Sequence, residues 1–113
     1  MKLNVAERLV LLNLLPREGG ITTLRIVGEL RDNLSFSEEE HKALQFKNAD
    51  SGTQWEPDAI GETEIAIGPR AHVLIAEVLE KLDKDEKLVE DYMSVWDKFV
   101  EQQGSHLQEV ARG

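Results

Sequence analysis

The chain has 113 residues, a net charge of −9 and no cysteine. Its length predicts a single domain, because typical domains contain roughly 100 to 150 residues. The lack of cysteine excludes a disulfide framework, a thiolate zinc site, an iron–sulfur cluster and a cysteine nucleophile. No stretch offers the run of about 20 apolar residues that a membrane span requires, and Glu7 and Arg8 interrupt the place of a signal peptide's apolar segment. We therefore expect a cytoplasmic protein that does not enter a membrane.

The charge is unevenly distributed along the chain. Residues 1–36 carry five basic and four acidic side chains, a balance of +1, whereas the remaining residues carry eight basic and eighteen acidic side chains, a balance of −10. An acidic surface of this kind repels phosphate backbones, so nucleic acid is an unfavourable partner. The acid excess suits a soluble small protein, and it also suits docking to a basic partner or mimicry of nucleic acid.

Three helices are predicted in the first 45 residues. Asn4 is a typical N-cap for the first, with Glu7 completing a capping box, and Pro16 ends it. Thr22 or Thr23 is expected to cap the second helix, whose apolar residues recur at spacings of three and four. Ser37 with Glu40 forms another capping box at the start of a short third helix, and the acidic residues there argue against a DNA-recognition helix.

The segment from Leu44 to Ile67 predicts strands, because its apolar residues alternate and turn residues interrupt it. We expect two or three short strands forming a ribbon. Since an isolated two-stranded ribbon is marginal, it should pack on the helices through Phe46, Trp55, Ile65 and Ile67.

Two amphipathic helices are predicted after Pro69, one from about Arg70 to Leu82 and one from about Leu88 to Gln102. We expect Gly104 to end the last helix, so that residues 1–103 form the compact domain and residues 104–113 a frayed polar tail.

Together these elements predict an α+β fold. Three N-terminal helices and a β-ribbon would form a winged-helix-like unit, covered by the two C-terminal helices. The alternative is an all-helical bundle with an irregular insertion.

No motif indicates catalysis, a cofactor or a metal. Glu38 and His41 have a metal-ligand spacing, but the second such pair that a di-metal site needs is missing. Asp83 and Asp85 resemble the start of a calcium loop, yet the later ligand positions do not fit. His72 is expected to lie at the boundary between core and surface without a catalytic role, unless a pocket joins it to a carboxylate. We therefore expect a protein that is not an enzyme.

Four aromatic residues are the candidates for an interaction surface. Tyr92, Trp96 and Phe99 recur at helical spacing, so they either complete the core or form a partner or dimer surface with aromatic anchors. Trp55, beside a turn, is a candidate anchor at the tip of the wing.

Several segments resemble a recurrent pattern in small uncharacterised proteins of bacteriophage and prophage genomes. The resemblance extends over roughly residues 4–100. The segments that carry it are Leu14-Leu15-Pro16-Arg17-Glu18-Gly19, Thr23-Leu24-Arg25-Ile26, Ser35-Phe36-Ser37-Glu38-Glu39-Glu40, and Ile65-Ala66-Ile67-Gly68 leading into a helix that ends Leu79-Glu80-Lys81-Leu82-Asp83. The resemblance implies a viral or mobile-element setting, hence the host cytoplasm, and no known activity.

The function that these observations favour is that of a non-enzymatic, acidic protein-interaction module acting on a host or virion protein. The alternative is a helix-turn-helix transcriptional regulator that binds DNA. That alternative requires five basic side chains to converge on one face, namely Arg17, Arg25, Arg31, Lys42 and Lys47.

Overall fold

The computed structural model describes residues 1–50, 52–56 and 58–101. Its helices are α1 Val5–Leu14, α2 Ile21–Leu34, α3 Glu38–Leu44, α4 Pro69–Lys84 and α5 Met93–Trp96, with a 3₁₀ turn over Glu90–Tyr92 and a π-helical turn over Asp97–Glu101. The strands are β1 Lys2–Leu3, β2 Lys47–Ala49, β3 Gly52–Gln54 and β4 Thr63–Glu64. This mixture of helices and small antiparallel sheets is compatible with the predicted α+β class.

Helix α1 lies at the centre of the fold, in contact with α2, α4 and α5. It begins as predicted: the Asn4 side chain accepts a hydrogen bond from the Glu7 backbone N–H at 2.8 Å, and the Glu7 carboxylate accepts one from the Asn4 N–H at 2.9 Å. It ends at Leu14, because Leu15 adopts the extended backbone that a following proline favours.

The start of α2 differs from the prediction. Its N-cap is Gly20, with no side-chain hydrogen bond, so Thr22 and Thr23 lie inside the first turn. Ile21, the first residue of α2, lies outside the core and is 66% exposed. Ser37 caps α3 as predicted, since its hydroxyl accepts a hydrogen bond from the Glu40 N–H at 3.1 Å.

The described strands form two separate antiparallel sheets, which corrects the single predicted ribbon. β2 pairs with β3 as a local hairpin, but β4 pairs with β1, placing Lys2 opposite Glu64. The backbone of Ile65 also donates to the carbonyl of Met1 at 2.8 Å. Burial explains this partner choice, because the pairing lets Leu3 and Ile65 both enter the core.

Helix α4 forms as predicted. The last predicted helix, from about Leu88 to Gln102, does not form as one continuous α-helix in the described residues. Leu88 and Val89 precede the 3₁₀ turn, α5 is one turn long, and the chain then widens into the π-helical turn. The predicted boundary at residue 103, the stop at Gly104 and the frayed tail over residues 104–113 lie outside the described residues. In the described part of the chain, no helix is both long enough and apolar enough to cross a membrane.

The core draws on almost every element. Its fully buried members include Leu3, Leu11 and Leu34 from the N-terminal region and Leu79, Val95 and Phe99 from the C-terminal region.

Candidate protein-docking surface

A shallow depression of about 270 Å³ lies where the end of α4 meets the last described segment. It is lined by Leu88, Val89, Tyr92, Met93 and Trp96, with Asp83 and Asp97 beside them. We call these seven residues the Trp96 surface.

The backbone around α5 creates this surface. Val95 and Phe99, four residues apart, are both 0% exposed and anchor the segment in the core. Neighbouring positions are thereby left outside, and Val89 and Met93 are 52% and 63% exposed. Exposed apolar side chains clustered beside aromatic ones are typical of interaction sites.

The indole of Trp96 is held in place without being buried. Its Nε1 donates a hydrogen bond to Oε1 of Glu101 at 3.0 Å, and the side chain is half-buried. A tryptophan fixed in this way loses little conformational entropy when a partner covers its ring.

Acidic side chains border the apolar floor. Asp83 and Asp97 line the depression itself. The surface therefore combines apolar and aromatic side chains with two carboxylates.

The structure separates the four candidate aromatic residues. Tyr92 and Trp96 lie together in the depression, whereas Phe99 is completely buried and belongs to the core, which is one of the two alternatives that the sequence left open. The 3₁₀ and π turns change the rotation per residue from that of an α-helix, which explains why Phe99 does not share a face with Tyr92 and Trp96. The sequence pattern did not identify Asp83, Asp97 or Leu88 as part of the surface.

Trp55 belongs to a different aromatic group. Its ring lies 6.3 Å from that of Phe46, which contacts Phe36 at 5.1 Å and His41 at 5.5 Å. These contacts place Trp55 in an aromatic group beside the β2–β3 hairpin, and no member of that group lines the Trp96 surface.

The other chemical candidates are engaged in packing. The His72 ring lies 4.8 Å from Phe99, and its Nδ1 is buried without a hydrogen-bond partner among the described residues. His41 packs its ring on Phe36 and Phe46. The described residues include no group of three or more histidines and carboxylates arranged to hold a metal.

The basic residues are divided between different surroundings. Arg17 and Arg31 line one cleft between α1 and α2. Arg70 lines another, together with Glu29 and Asn33, at the start of α4.

Comparison with known proteins assigns no family to the chain. No family model, no curated protein and no solved structure matches the chain.

Proposed function

We propose that this protein is a small, acidic, non-enzymatic protein-interaction module whose Trp96 surface binds a basic amphipathic segment of a partner protein. The observation that carries the proposal is the exposure of Val89 and Met93 beside Tyr92 and Trp96 in one depression. A few residues supply most of the binding energy at protein interfaces, and Trp and Tyr are frequent among them, while Met is enriched at interfaces in general.

Charge complementarity supports the choice of a basic occupant. Asp83 and Asp97 border the apolar floor, so lysine or arginine side chains flanking the apolar anchors of a partner would meet opposite charge. A second copy is a weaker candidate. In a symmetric dimer the same patch faces itself, which would bring the carboxylates of both copies together.

The setting follows from the resemblance to phage and prophage proteins. We propose a host or virion protein as the partner, met in the host cytoplasm. The order of α1, α2, α3 and the β2–β3 hairpin also supports a winged-helix-like arrangement. In this proposal the arrangement serves as a protein-binding scaffold, since Glu38 and Glu39 at the start of α3 would face phosphate unfavourably.

The proposal is tested with a fluorescein-labelled amphipathic helical peptide that carries leucines on one face and lysines on the other. Fluorescence anisotropy should show binding by the wild type, weakened about tenfold or more by Trp96→Ala or Met93→Ala. Val73→Ala is the matched control, because Val73 is 44% exposed on α4 outside the depression, and it should leave the affinity unchanged.

One further outcome decides the location. If Trp55→Ala, and neither change at the Trp96 surface, abolishes binding, then the docking site lies at the hairpin and the proposal is wrong. Circular dichroism of each variant separates lost binding from lost folding. Met93→Ala truncates a side chain that is 63% exposed, so it keeps the test decisive if Trp96→Ala unfolds.

A further inference from the structure

A second cleft, separate from the Trp96 surface, lies between the second half of α2 and the start of α4. Its volume is about 640 Å³, against about 270 Å³ for the depression at Trp96. It is lined by Ile26, Glu29, Leu30, Asn33, Ala66, Gly68, Pro69, Arg70 and Ala71. We call it the α2–α4 cleft.

The base of this cleft is apolar and continuous with the core. Leu30 is 2% exposed and Ala71 is 8% exposed, and both are members of the core cluster, against which Ile26 packs. Asn33 closes the cleft on one side, because its Nδ2 donates a hydrogen bond to the carbonyl of Ala66 at 3.2 Å and so ties the end of α2 to the segment before α4. An apolar base with a few polar groups around it is typical of sites for small molecules.

Two opposite charges face this cleft from its two walls. Glu29 belongs to α2 and Arg70 to α4, and both side chains are exposed. Neither forms an ion pair with any described residue, although both line the same cleft. A carboxylate and a guanidinium are therefore both free to pair with a ligand.

The position of Arg70 is not explained by the stability of its own helix. Arg70 lies in the first turn of α4, where the helix dipole favours negative side chains, and that turn contains no acidic residue. A cation at this end of a helix is slightly destabilising. A carboxylate supplied from outside α4 would offset that effect.

We infer that the α2–α4 cleft binds a small zwitterion with an apolar side chain, either a free α-amino acid or a short peptide with free termini. The carboxylate of the ligand pairs with Arg70, whose planar guanidinium can donate two parallel hydrogen bonds to it. The ammonium of the ligand pairs with Glu29, and the apolar side chain covers Ile26 and Leu30. The site is independent of the Trp96 surface, since the two share no lining residue.

Two simpler ligands fit the cleft less well. Phosphate or another simple anion would pair with Arg70, but the carboxylate of Glu29 in the same cleft would repel it. A purely apolar ligand would cover the base and draw Glu29 and Arg70 away from water without pairing either charge. A ligand that carries both charges and an apolar group satisfies all three features of the cleft.

The experiment titrates the isotope-labelled full chain with leucine at neutral pH and follows the backbone amides by NMR. Leucine should cause saturable shifts at the residues that line the cleft, with a Kd of about 1 mM or below. Three analogues each remove one feature: glycine lacks the apolar side chain, N-acetylleucine lacks the ammonium, and leucinamide lacks the carboxylate. Each should bind at least about threefold more weakly than leucine.

Variants assign each charge of the ligand to one wall. Glu29→Gln should weaken leucine binding about threefold to tenfold and leave N-acetylleucine binding unchanged, because that analogue has no ammonium to lose. Arg70→Gln should do the same for leucine and leave leucinamide unchanged. The matched controls are Glu18→Gln and Arg17→Gln, which remove the same charges at exposed positions outside the cleft and should not alter the affinity. The amide spectrum shows whether each variant is folded, and the analogues test the same pairings on the wild type if a variant unfolds.

The remaining arms separate the sources of the zwitterion and the competing ligands. Tighter binding of leucine than of trileucine would identify a free amino acid, and the reverse order would identify a short peptide; both orders support the inference. Equal affinities for N-acetylleucine and leucine would reduce the cleft to a simple anion site and overturn it. Equal affinities for glycine and leucine, or for leucine and a trileucine with both termini blocked, would do so as well. The inference also fails if neither leucine nor trileucine saturates the shifts with a Kd below about 10 mM.

Discussion

Two cationic side chains hold different parts of this molecule together, and they do so in contrasting surroundings. Arg8 is 2% exposed and donates to the carbonyls of Leu34 at 3.1 Å and Ser35 at 2.7 Å, as well as to the Glu40 carboxylate. Its guanidinium also lies 4.0 Å from the ring centroid of Phe36. It thus ties α1 to the connection between α2 and α3.

Lys98 occupies a more open position. Its side chain is 22% exposed, and Nζ donates to the Lys2 carbonyl at 2.9 Å, to Glu7 at 2.8 Å and to Glu62 at 3.1 Å. It joins the π-helical turn to β1, to the start of α1 and to the chain before β4.

Arg8 and Lys98 differ in how far they are buried from water. They also differ in which partner groups would lose their donor if the cation were removed. Arg8 satisfies carbonyls at the end of α2 that have no helical partner, and water cannot easily replace it in a buried position. Around Lys98, Glu62 is half exposed, and Glu7 retains its hydrogen bond from the Asn4 N–H. We therefore expect the two networks to contribute unequally to stability.

The largest effect is predicted for Arg8→Ala. Removing the guanidinium leaves buried carbonyls and a partly buried carboxylate without their donor, so the free energy of unfolding should fall by about 3–5 kcal/mol. Urea denaturation followed by circular dichroism measures the loss. Arg8→Lys should restore only part of it, because an ammonium cannot reproduce the planar set of donors. A loss below about 1 kcal/mol would mean that the Arg8 network contributes no more than an exposed ion pair, and the expected difference from Lys98 would not hold.

A smaller effect is predicted for Lys98→Met, which keeps much of the side chain's apolar length. The buried carboxylate of Glu7 loses one of its donors, and a cost of about 1–3 kcal/mol is expected. The same denaturation experiment applies. A cost equal to that of Arg8→Ala would show that exposure does not distinguish the two networks.

The dependence of stability on pH should distinguish the two networks further. The Arg8–Glu40 network should weaken at low pH, and the Lys98 network should weaken at high pH. The hydrogen bond from Arg8 lowers the pKa of Glu40 and outweighs partial burial, which acts in the opposite direction. A lowered pKa in the folded state means that the stabilisation is present above the ordinary carboxyl pKa of about 4.3 and is lost as the pH falls through the folded value. Glu40→Gln should therefore flatten the acid limb of the stability profile.

Lys98 should act at the alkaline end. Partial burial acts to lower its pKa, but the hydrogen bonds to Glu7 and Glu62, with their charges, outweigh burial and raise the pKa. Its stabilisation is then complete below the ordinary lysine pKa of about 10.4 and disappears as the pH rises through the folded value. Lys98→Met should flatten the alkaline limb and leave the Glu40-dependent acid limb in place. Stability profiles that change alike in both variants would contradict this assignment.

Local signals in the sequence predicted α1, α3 and α4 well. The capping boxes at Asn4 and Ser37 are each encoded within four residues, so no tertiary information is needed to recognise them. The pairing of β1 with β4 brings residues 2 and 64 together, and alternation within either strand cannot identify so distant a partner. The burial of Arg8 was also not predictable, because its partners Leu34, Ser35 and Glu40 meet only in the folded chain.

The candidate site was predictable only where it depends on residues that are close in sequence. Helical spacing correctly brought Tyr92 and Trp96 together, since they are four residues apart. It failed for Phe99, because the chain departs from α-helical geometry on both sides of α5. The two carboxylates were not recognised, since Asp83 comes from the end of α4 and reaches the depression only through packing.

The smallest effect is predicted for Glu64→Ala, which tests the lower end of the same comparison. The Glu64 carboxylate accepts a hydrogen bond from the N-terminal ammonium at 3.0 Å and forms an ion pair with it, but the Glu64 side chain is 70% exposed. The ammonium also donates to the Ile65 carbonyl at 3.0 Å, so it keeps a partner when the carboxylate is removed. An exposed pair with a retained alternative should contribute about 0–1 kcal/mol, and less at high salt. Urea denaturation at low and high salt measures this, with Lys98→Met as the comparison. A loss above about 2 kcal/mol would mean that the β1–β4 pairing depends on this ion pair rather than on the burial of Leu3 and Ile65.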